Sequence, residues 1–336
     1  MRARVGNIPA VALGLLCGAG VLAPLVVGDT SGGFYIEVLL GGLMAGVLYA
    51  LVALGFVLIY KASGIFNFAQ GAMVLFAALS MARLSEVLPF PLALAATLAI
   101  MVLLAMVIER LVLRPLVNQP AVTLLMATLG ISLFLEGLGQ MVWGSDIYAI
   151  DLGTPKEPVM VLEDTFEGGV LMSWEDIVAA ITAAALVTLL AVFFRGSATG
   201  RALRAVADDH QAAQSLGVPL HRIWVIVWAV AGAVALVGGI IWGSKLGVQF
   251  SLSRVALKSL PVVFLGGLTS VPGAIAGGLI IGVGEKMAEV FLGPVLVERF
   301  GLAGGGIENW FAYVLALLFI LVRPEGLFGE RHIDRV

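Results

Sequence analysis

The 336 residues are 60% hydrophobic and 12% charged, with a mean hydropathy of +1.07. Water-soluble domains carry about 25% charged residues, so a soluble fold is excluded, and the formal net charge of -3 matters less than where the charges fall. A single cysteine, Cys17, excludes an intrachain disulfide framework.

The chain opens with "MRARVGNIPAVALGLLCGAGVLAPLVV", two arginines ahead of an apolar run, which has the outline of a secretory signal. Leu16 is bulky where a lipoprotein signal wants a small residue before its cysteine, and more apolar runs follow, so 9–27 is read as a first membrane helix. About 20 apolar residues cross the hydrocarbon core. Runs of that kind follow at 36–60, 66–83, 91–108, 121–142, 177–194, 223–243, 272–291 and 308–322. A further run, 248–268, carries Arg254 and Lys258. A charge at the bilayer centre costs about 2.5–3.5 kcal/mol, so this segment is expected to be broken and packed against protein. The pattern predicts an all-α polytopic membrane protein, one domain over 1–336, with eight to ten transmembrane helices and interrupted or re-entrant segments.

Eleven arginines fall in five places: Arg2 and Arg4; Arg110 and Arg114; Arg195, Arg201, Arg204 and Arg222; Arg323; Arg331 and Arg335. Alternating crossings put all of them on the cytoplasmic side if the N-terminus is cytoplasmic. The 144–176 loop, with eight acids against Lys156, is then external, and ten crossings leave both termini inside.

Chemistry is sparse. No Gly-Lys pair occurs, so there is no phosphate-binding loop, and there is no H-E-x-x-H zinc site. The three histidines all fall in predicted cytoplasmic segments. The inventory predicts a pathway and not a catalyst, without cofactor or metal.

Small residues are patterned. Gly-Gly-Leu-x-x-Gly-Val occurs at 41–47 and again at 277–283, a spacing that lets helix backbones approach closely in lipid. It reads as tight packing or as the remnant of an internal repeat. Two stretches break the apolar pattern. "SGIFNFAQGAM" (63–73) holds two amides and two glycines. Interrupted helices near the midplane offer free polar groups to a solute, so Asn67 and Gln70, three apart, with Phe66 and Phe68 beside them, are candidates for a translocation route. Asn67 serves equally as a cap for the following helix. "GGLTSVPG" (266–273) is the second break: Gly266, Gly267 and Gly273 supply the bend, Ser270 the helix cap, and Pro272 the first turn. Lys258, Glu285, Lys286 and Glu289, with Glu136, are expected to pair or to sit near the outer interface, with a proton relay as the lesser reading.

The stretch "RGSATGRALRAVADDHQAAQSLGVPLHR" (195–222) reads as a short helix, a turn at Gly217 and a return past Pro219. Gln211-Ala212-Ala213, three residues, then Gly217 resembles the Glu-Ala-Ala-x-x-x-Gly segment by which permeases of bacterial ABC importers engage their ATPase, with Gln211 in place of the glutamate. "GVLYALVALGFVLIYKASGIFNFAQGAM" (46–73), "FLGGLTSVPGAIAGGLIIG" (264–282) and "RPEGLFG" (323–329) resemble the LivH-type permeases of branched-chain amino acid importers, and Gln70 stands where that type usually has a histidine. The resemblance runs from about 36 to 330 and implies the ABC importer permease fold, with Asp209, Gln211, Ala212, Ala213 and Gly217 contacting the ATPase. It also implies the partners: a paralogous permease forming a heterodimer, two ATP-binding subunits, a periplasmic solute-binding protein and membrane lipid, but no nucleic acid. The competing reading is a self-sufficient secondary transporter or channel, which needs pathway carboxylates in mid-membrane where this chain is nearly bare of them.

Overall fold

The computed structural model describes residues 32–116, 119–155, 157–161, 169–208, 210–301 and 306–329. The expected helix over 9–27, with Cys17, lies outside the described residues. Helix α1 runs Gly32–Ser63, apolar throughout, and ends where Gly64 takes a left-handed φ of +69°. Then come α2 (Gln70–Ser85), α3 (Phe90–Ile108) and α4 (Ala121–Trp143). Extended prolines at 89 and 120 precede α3 and α4, since proline cannot donate into a preceding turn and presets φ for the first one. α3 continues through one π-helical turn, Glu109–Leu113. Strands β1 (Pro158–Val161) and β2 (Val170–Ser173) pair antiparallel with Pro158 opposite Ser173. This small hairpin is a departure from the all-helical expectation.

The chain then forms α5 (Trp174–Gly196), α6 (Ala198–Asp208), α7 (His210–Ser215) and α8 (Leu220–Leu246). The run 248–268 is two short helices, α9 (Leu252–Leu257) and α10 (Leu260–Gly266). Beyond the break, α11 (Val271–Met287) passes through a π turn into α12 (Gly293–Phe300), further than the expected end at 291. α13 (Ile307–Val322) follows. α2 starts four residues later than the expected 66, because residues 64–69 are held in a bonded turn described below.

Five helices among the described residues are long and apolar enough to cross a membrane: Gly32–Ser63, Phe90–Leu116, Val122–Trp143, Trp174–Gly196 and Leu220–Leu246. Leu252–Gly266 and Val271–Arg299 form a pair bent by 116°, and Gln70–Ser85 and Trp310–Val322 are shorter apolar helices.

The chain divides into two compact units. The first comprises Met1–Ala50, Thr154–Ala184 and Lys258–Val336; the second, Leu51–Gly153 and Ala185–Leu257. In the second unit, α2 is buried from Gln70 through Ala82 and packs against α3, α4, α8 and α9. Leu98, Leu103, Leu133 and Phe134 on α3 and α4 are exposed, as expected of spans whose outer faces meet lipid and not water. In the first unit, α10 packs on α11 and α13.

Candidate functional sites: two interrupted helices and a helical turn

The first interruption, in the second unit, is a closed polar knot. Asn67 and Gln70 are both 0% exposed. The Asn67 Oδ1 accepts from the Ala69 N–H at 3.1 Å, and its Nδ2 donates to Gln70 Oε1 at 3.3 Å. Gln70 Nε2 donates in turn to the Ala231 carbonyl of α8 at 3.3 Å. Buried amides cost about 1–3 kcal/mol each when unpaired, so the knot stands only because these partners converge. The Phe68 N–H donates to Thr128 Oγ1 at 3.3 Å, and that hydroxyl reaches the Phe66 carbonyl at 3.2 Å. Trp224 Nε1 donates to the Ala62 carbonyl at 3.0 Å, one of the acceptors left at the end of α1.

The glycines have separate reasons. Gly64 turns the chain out of α1. A Cβ at Gly71 would strike the Ser253 carbonyl, so its absence lets α2 lie against α9. A Cβ at Gly55 would stand 2.5 Å from Gln70 Nε2, so this glycine, outside 63–73, leaves room for the Gln70 side chain. The N-cap of α2 is Ala69, without a side-chain bond. The expected cap at Asn67 is therefore displaced: Asn67 bonds one residue short of the helix, in an Asx turn. Although three apart, Asn67 and Gln70 do not share a helical face, because α2 begins only at Gln70. They meet because Asn67 sits in the turn preceding Gln70. Phe66 and Phe68 are half-buried, with Phe66 stacked on Phe56 at 5.2 Å and edge-on to Phe68 at 4.9 Å.

The second interruption, in the first unit, is built from backbone. Gly267 has φ +106°, and Ser270 caps α11 by accepting from the Gly273 N–H at 3.0 Å. A Cβ at Gly266 would strike the Gly273 carbonyl and one at Gly273 the Gly266 carbonyl, so the two arms touch through bare backbone. The segment "RPEGLFG" closes this break. Leu327 N–H donates to the Leu265 carbonyl at 2.8 Å and Phe328 N–H to the Gly266 carbonyl at 3.1 Å. These are acceptors at the end of α10 that its own helix cannot satisfy.

The two Gly-Gly-Leu-x-x-Gly-Val stretches pack on each other, antiparallel. A Cβ at Gly46 would lie 2.6 Å from the Gly278 carbonyl oxygen, and one at Gly42 would lie 2.8 Å from Val283 Cα. Helical side chains lean toward their own N-terminus, so in an antiparallel pair Tyr49 and Glu285 lean toward each other. Tyr49 Oη donates to Glu285 Oε1 at 3.1 Å, and Lys258 Nζ donates to the same oxygen at 3.2 Å. Glu285 is 5% exposed, and its Oε2 has no hydrogen-bond partner among the described residues. Lys286 pairs with Glu289 at 2.8 Å. The expected pairing among these four charges is what the structure contains.

The third site is the turn after α7, in the second unit. Gly217 has φ +81°; its N–H donates to the Gln214 carbonyl at 2.9 Å and the Val218 N–H to the Ala213 carbonyl at 3.0 Å. These two bonds are a Schellman C-cap, which requires the left-handed residue glycine supplies. Ala213 is buried, Ala212 is exposed, and Leu216 is 84% exposed at the tip. Asp209 lies outside the described residues, and Gln211 is placed in α7 by its backbone. Two arginines fix the unit that carries this turn. Arg204 Nη1 donates to the Phe194 carbonyl at 2.9 Å and Arg201 Nη1 to Gly196 at 3.2 Å, which supplies donors and positive charge to the end of α5. Thr128, Trp224 and Tyr49 were not singled out from sequence. Thr128 and Trp224 share their apolar helices with other donors, such as Ser132 and Trp228, so their sequence positions do not mark them.

Interrupted spans, glycine-packed helix pairs and a capped helical turn outside the spans together define a multi-pass membrane transport subunit. The chain belongs to the family described as branched-chain amino acid transport system, permease component, whose model matches residues 38–323. It is 28% identical over 315 residues to the high-affinity branched-chain amino acid transport system permease protein BraD of Pseudomonas aeruginosa, covering 90% of this chain and 98% of that one. It is 26% identical over 315 residues to LivH of Escherichia coli, with the same coverage. With the probable LivH of Methanocaldococcus jannaschii the identity is 26% over 300 residues, covering 87% of this chain and 92% of that one.

Proposed function

We propose that this chain is the membrane path of an ATP-driven importer for branched-chain amino acids or a similar small solute, without catalytic activity of its own. It pairs with a paralogous permease, receives solute from a periplasmic binding protein and is driven by two ATP-binding subunits. It lies in the inner membrane with both termini cytoplasmic. The observation that carries the motor-dependent reading is the turn at Gly217, where a Schellman cap presents Ala212 and Leu216 to solvent. Docking of this turn into a cleft of a partner would take the Leu216 side chain out of water. Asp209, Gln211, Ala212 and Gly217 form the contact, and Ala213, buried beneath them, packs the turn from inside. The solute class is supported by the relatives, which are named as branched-chain amino acid permeases.

Phe66 and Phe68 flank the route at the first interruption. The enclosed amides of Asn67 and Gln70 hold the turn that presents them, and they exchange bonds with water or solute only when that segment opens. The second break, with Gly266, Gly267, Ser270 and Gly273, is the linker of a re-entrant hairpin.

The experiment is uptake into vesicles carrying this chain with and without its ATP-binding subunits. Uptake is expected only with them and with ATP. Gly217→Glu forces a side chain into a left-handed φ and sets a charge at the contact; the expected result is normal insertion, with ATP hydrolysis no longer linked to uptake. Solute accumulation by this chain without ATP-binding subunits would establish the secondary transporter instead.

A further inference from the structure

We propose that the cavity where α3 ends and α8 begins, within the second unit, binds the phosphate headgroup of an anionic phospholipid. The cavity measures about 370 Å³ and is lined by Arg110, Arg114, His221 and Arg222 around Glu109. Charge counting singles it out. Glu109 is 2% exposed, and both of its oxygens are engaged. Oε1 accepts from Arg114 Nε at 3.2 Å and lies 2.8 Å from His221 Nδ1, and Oε2 accepts from Arg114 Nη2 at 3.2 Å. That carboxylate therefore neutralises Arg114. Arg110 and Arg222, both exposed, have no ion pair or hydrogen bond among the described residues. Two uncompensated guanidiniums face one cavity.

Local structure aims them there. The π turn Glu109–Leu113 widens the end of α3, with Glu109 inward and Arg110 outward. Such single-turn bulges recur at functional sites. α8 starts at Leu220, so His221 and Arg222 lie in its first turn, where the helix dipole favours an anion. Guanidinium matches phosphate geometry with two parallel donors.

The remaining lining distinguishes a lipid from a dissolved anion. Met106, Val225 and Ile226 form the apolar side of the cavity, and exposed Leu103 and Met106 continue along α3 into the apolar span. Headgroup donors above an apolar track fit one molecule with a phosphate and acyl chains. Basic pockets between membrane helices are known to take such headgroups.

The test compares the purified full chain with the double variant Arg110→Gln/Arg222→Gln by native mass spectrometry and thermal unfolding. The probes are phosphatidylglycerol, phosphatidylcholine and inorganic phosphate. The expected result is retention and thermal stabilisation by phosphatidylglycerol over phosphatidylcholine, with the variant weakened on the order of twentyfold, roughly fivefold per arginine. The variant's unfolding temperature without lipid is expected to equal that of the wild type, which separates lost binding from misfolding. Equal retention of phosphatidylglycerol by variant and wild type overturns the proposal. So does stabilisation by inorganic phosphate equal to that by phosphatidylglycerol, which makes the site one for a free anion. Release of a co-expressed partner subunit by the variant, with lipid retention unchanged, assigns the cavity to a protein contact and also overturns it.

Discussion

Lys258→Met tests whether the charge cluster of the first unit holds the second break to α1. Glu285 loses its cationic partner while remaining almost fully enclosed, keeping among the described residues only the Tyr49 hydroxyl at Oε1 and no hydrogen-bond partner at Oε2. Removing one member of a buried pair costs about 3–5 kcal/mol, because the remaining charge is left uncompensated. Lys258 is 24% exposed, so water screens part of that loss and the low end, about 3 kcal/mol, is expected. Tyr49→Phe removes one bond to a charged acceptor, worth about 1.5–3 kcal/mol, and should rank below it. The double variant Lys258→Met/Glu285→Gln takes away the stranded charge along with the pair and is expected to recover most of the loss. Unfolding in a fixed detergent, followed by the loss of helical signal with denaturant, gives the ranking. If Lys258→Met is as stable as the wild type, or the double variant is no better than the single one, the cluster does not stabilise this unit.

Gly46→Val places a Cβ 2.6 Å from a carbonyl oxygen, while Gly41, on the same helix, has nothing within 4 Å of its Cβ position. Gly46→Val should sharply reduce the yield of folded protein and Gly41→Val should not; equal yields would refute the antiparallel glycine contact. Asn67→Ala leaves Gln70 Oε1 and the Ala69 N–H without their partner, about 1–3 kcal/mol each. Stability and uptake should therefore fall together, and lost uptake at unchanged stability would place the amide in the solute route instead. Asp146→Cys in a Cys17-free background should react with an impermeant reagent added to intact cells. Labelling only after the membrane is opened would reverse the orientation.

Much of this was legible because lipid leaves backbone few choices. Long apolar runs have to be helices, and the runs starting near 36, 91, 121, 177 and 223 all correspond to long helices with ends shifted by a few residues. Glycine spacing was informative because only a missing Cβ permits the Gly46–Gly278 approach. What sequence spacing did not convey is partnership across distance. Nothing local in "NFAQG" points to the Ala231 carbonyl or to Thr128, 161 and 60 residues away. The start of α2 at Gln70, and not at 66, has the same cause: bonds to Thr128 hold Phe66 and Phe68 out of the helix that their apolarity favours. Arg110 and Arg222 showed which side they face, but only the three-dimensional arrangement put both on one cavity.

The closure of the α10–α11 break by Leu327 and Phe328 has a consequence for synthesis. The ribosome makes 260–273 well before 327–328, and between them it must deliver α13. During that interval the Leu265 and Gly266 carbonyls are without their eventual donors, in a setting where an unpaired backbone group costs several kcal/mol. The hairpin is thus a late-maturing part of the molecule, sealed by almost the last described residues to leave the ribosome. A chain cut after Val322 keeps every apolar helix yet never acquires that seal. Its shortened product is expected to be cleared by membrane proteases although its spans are complete.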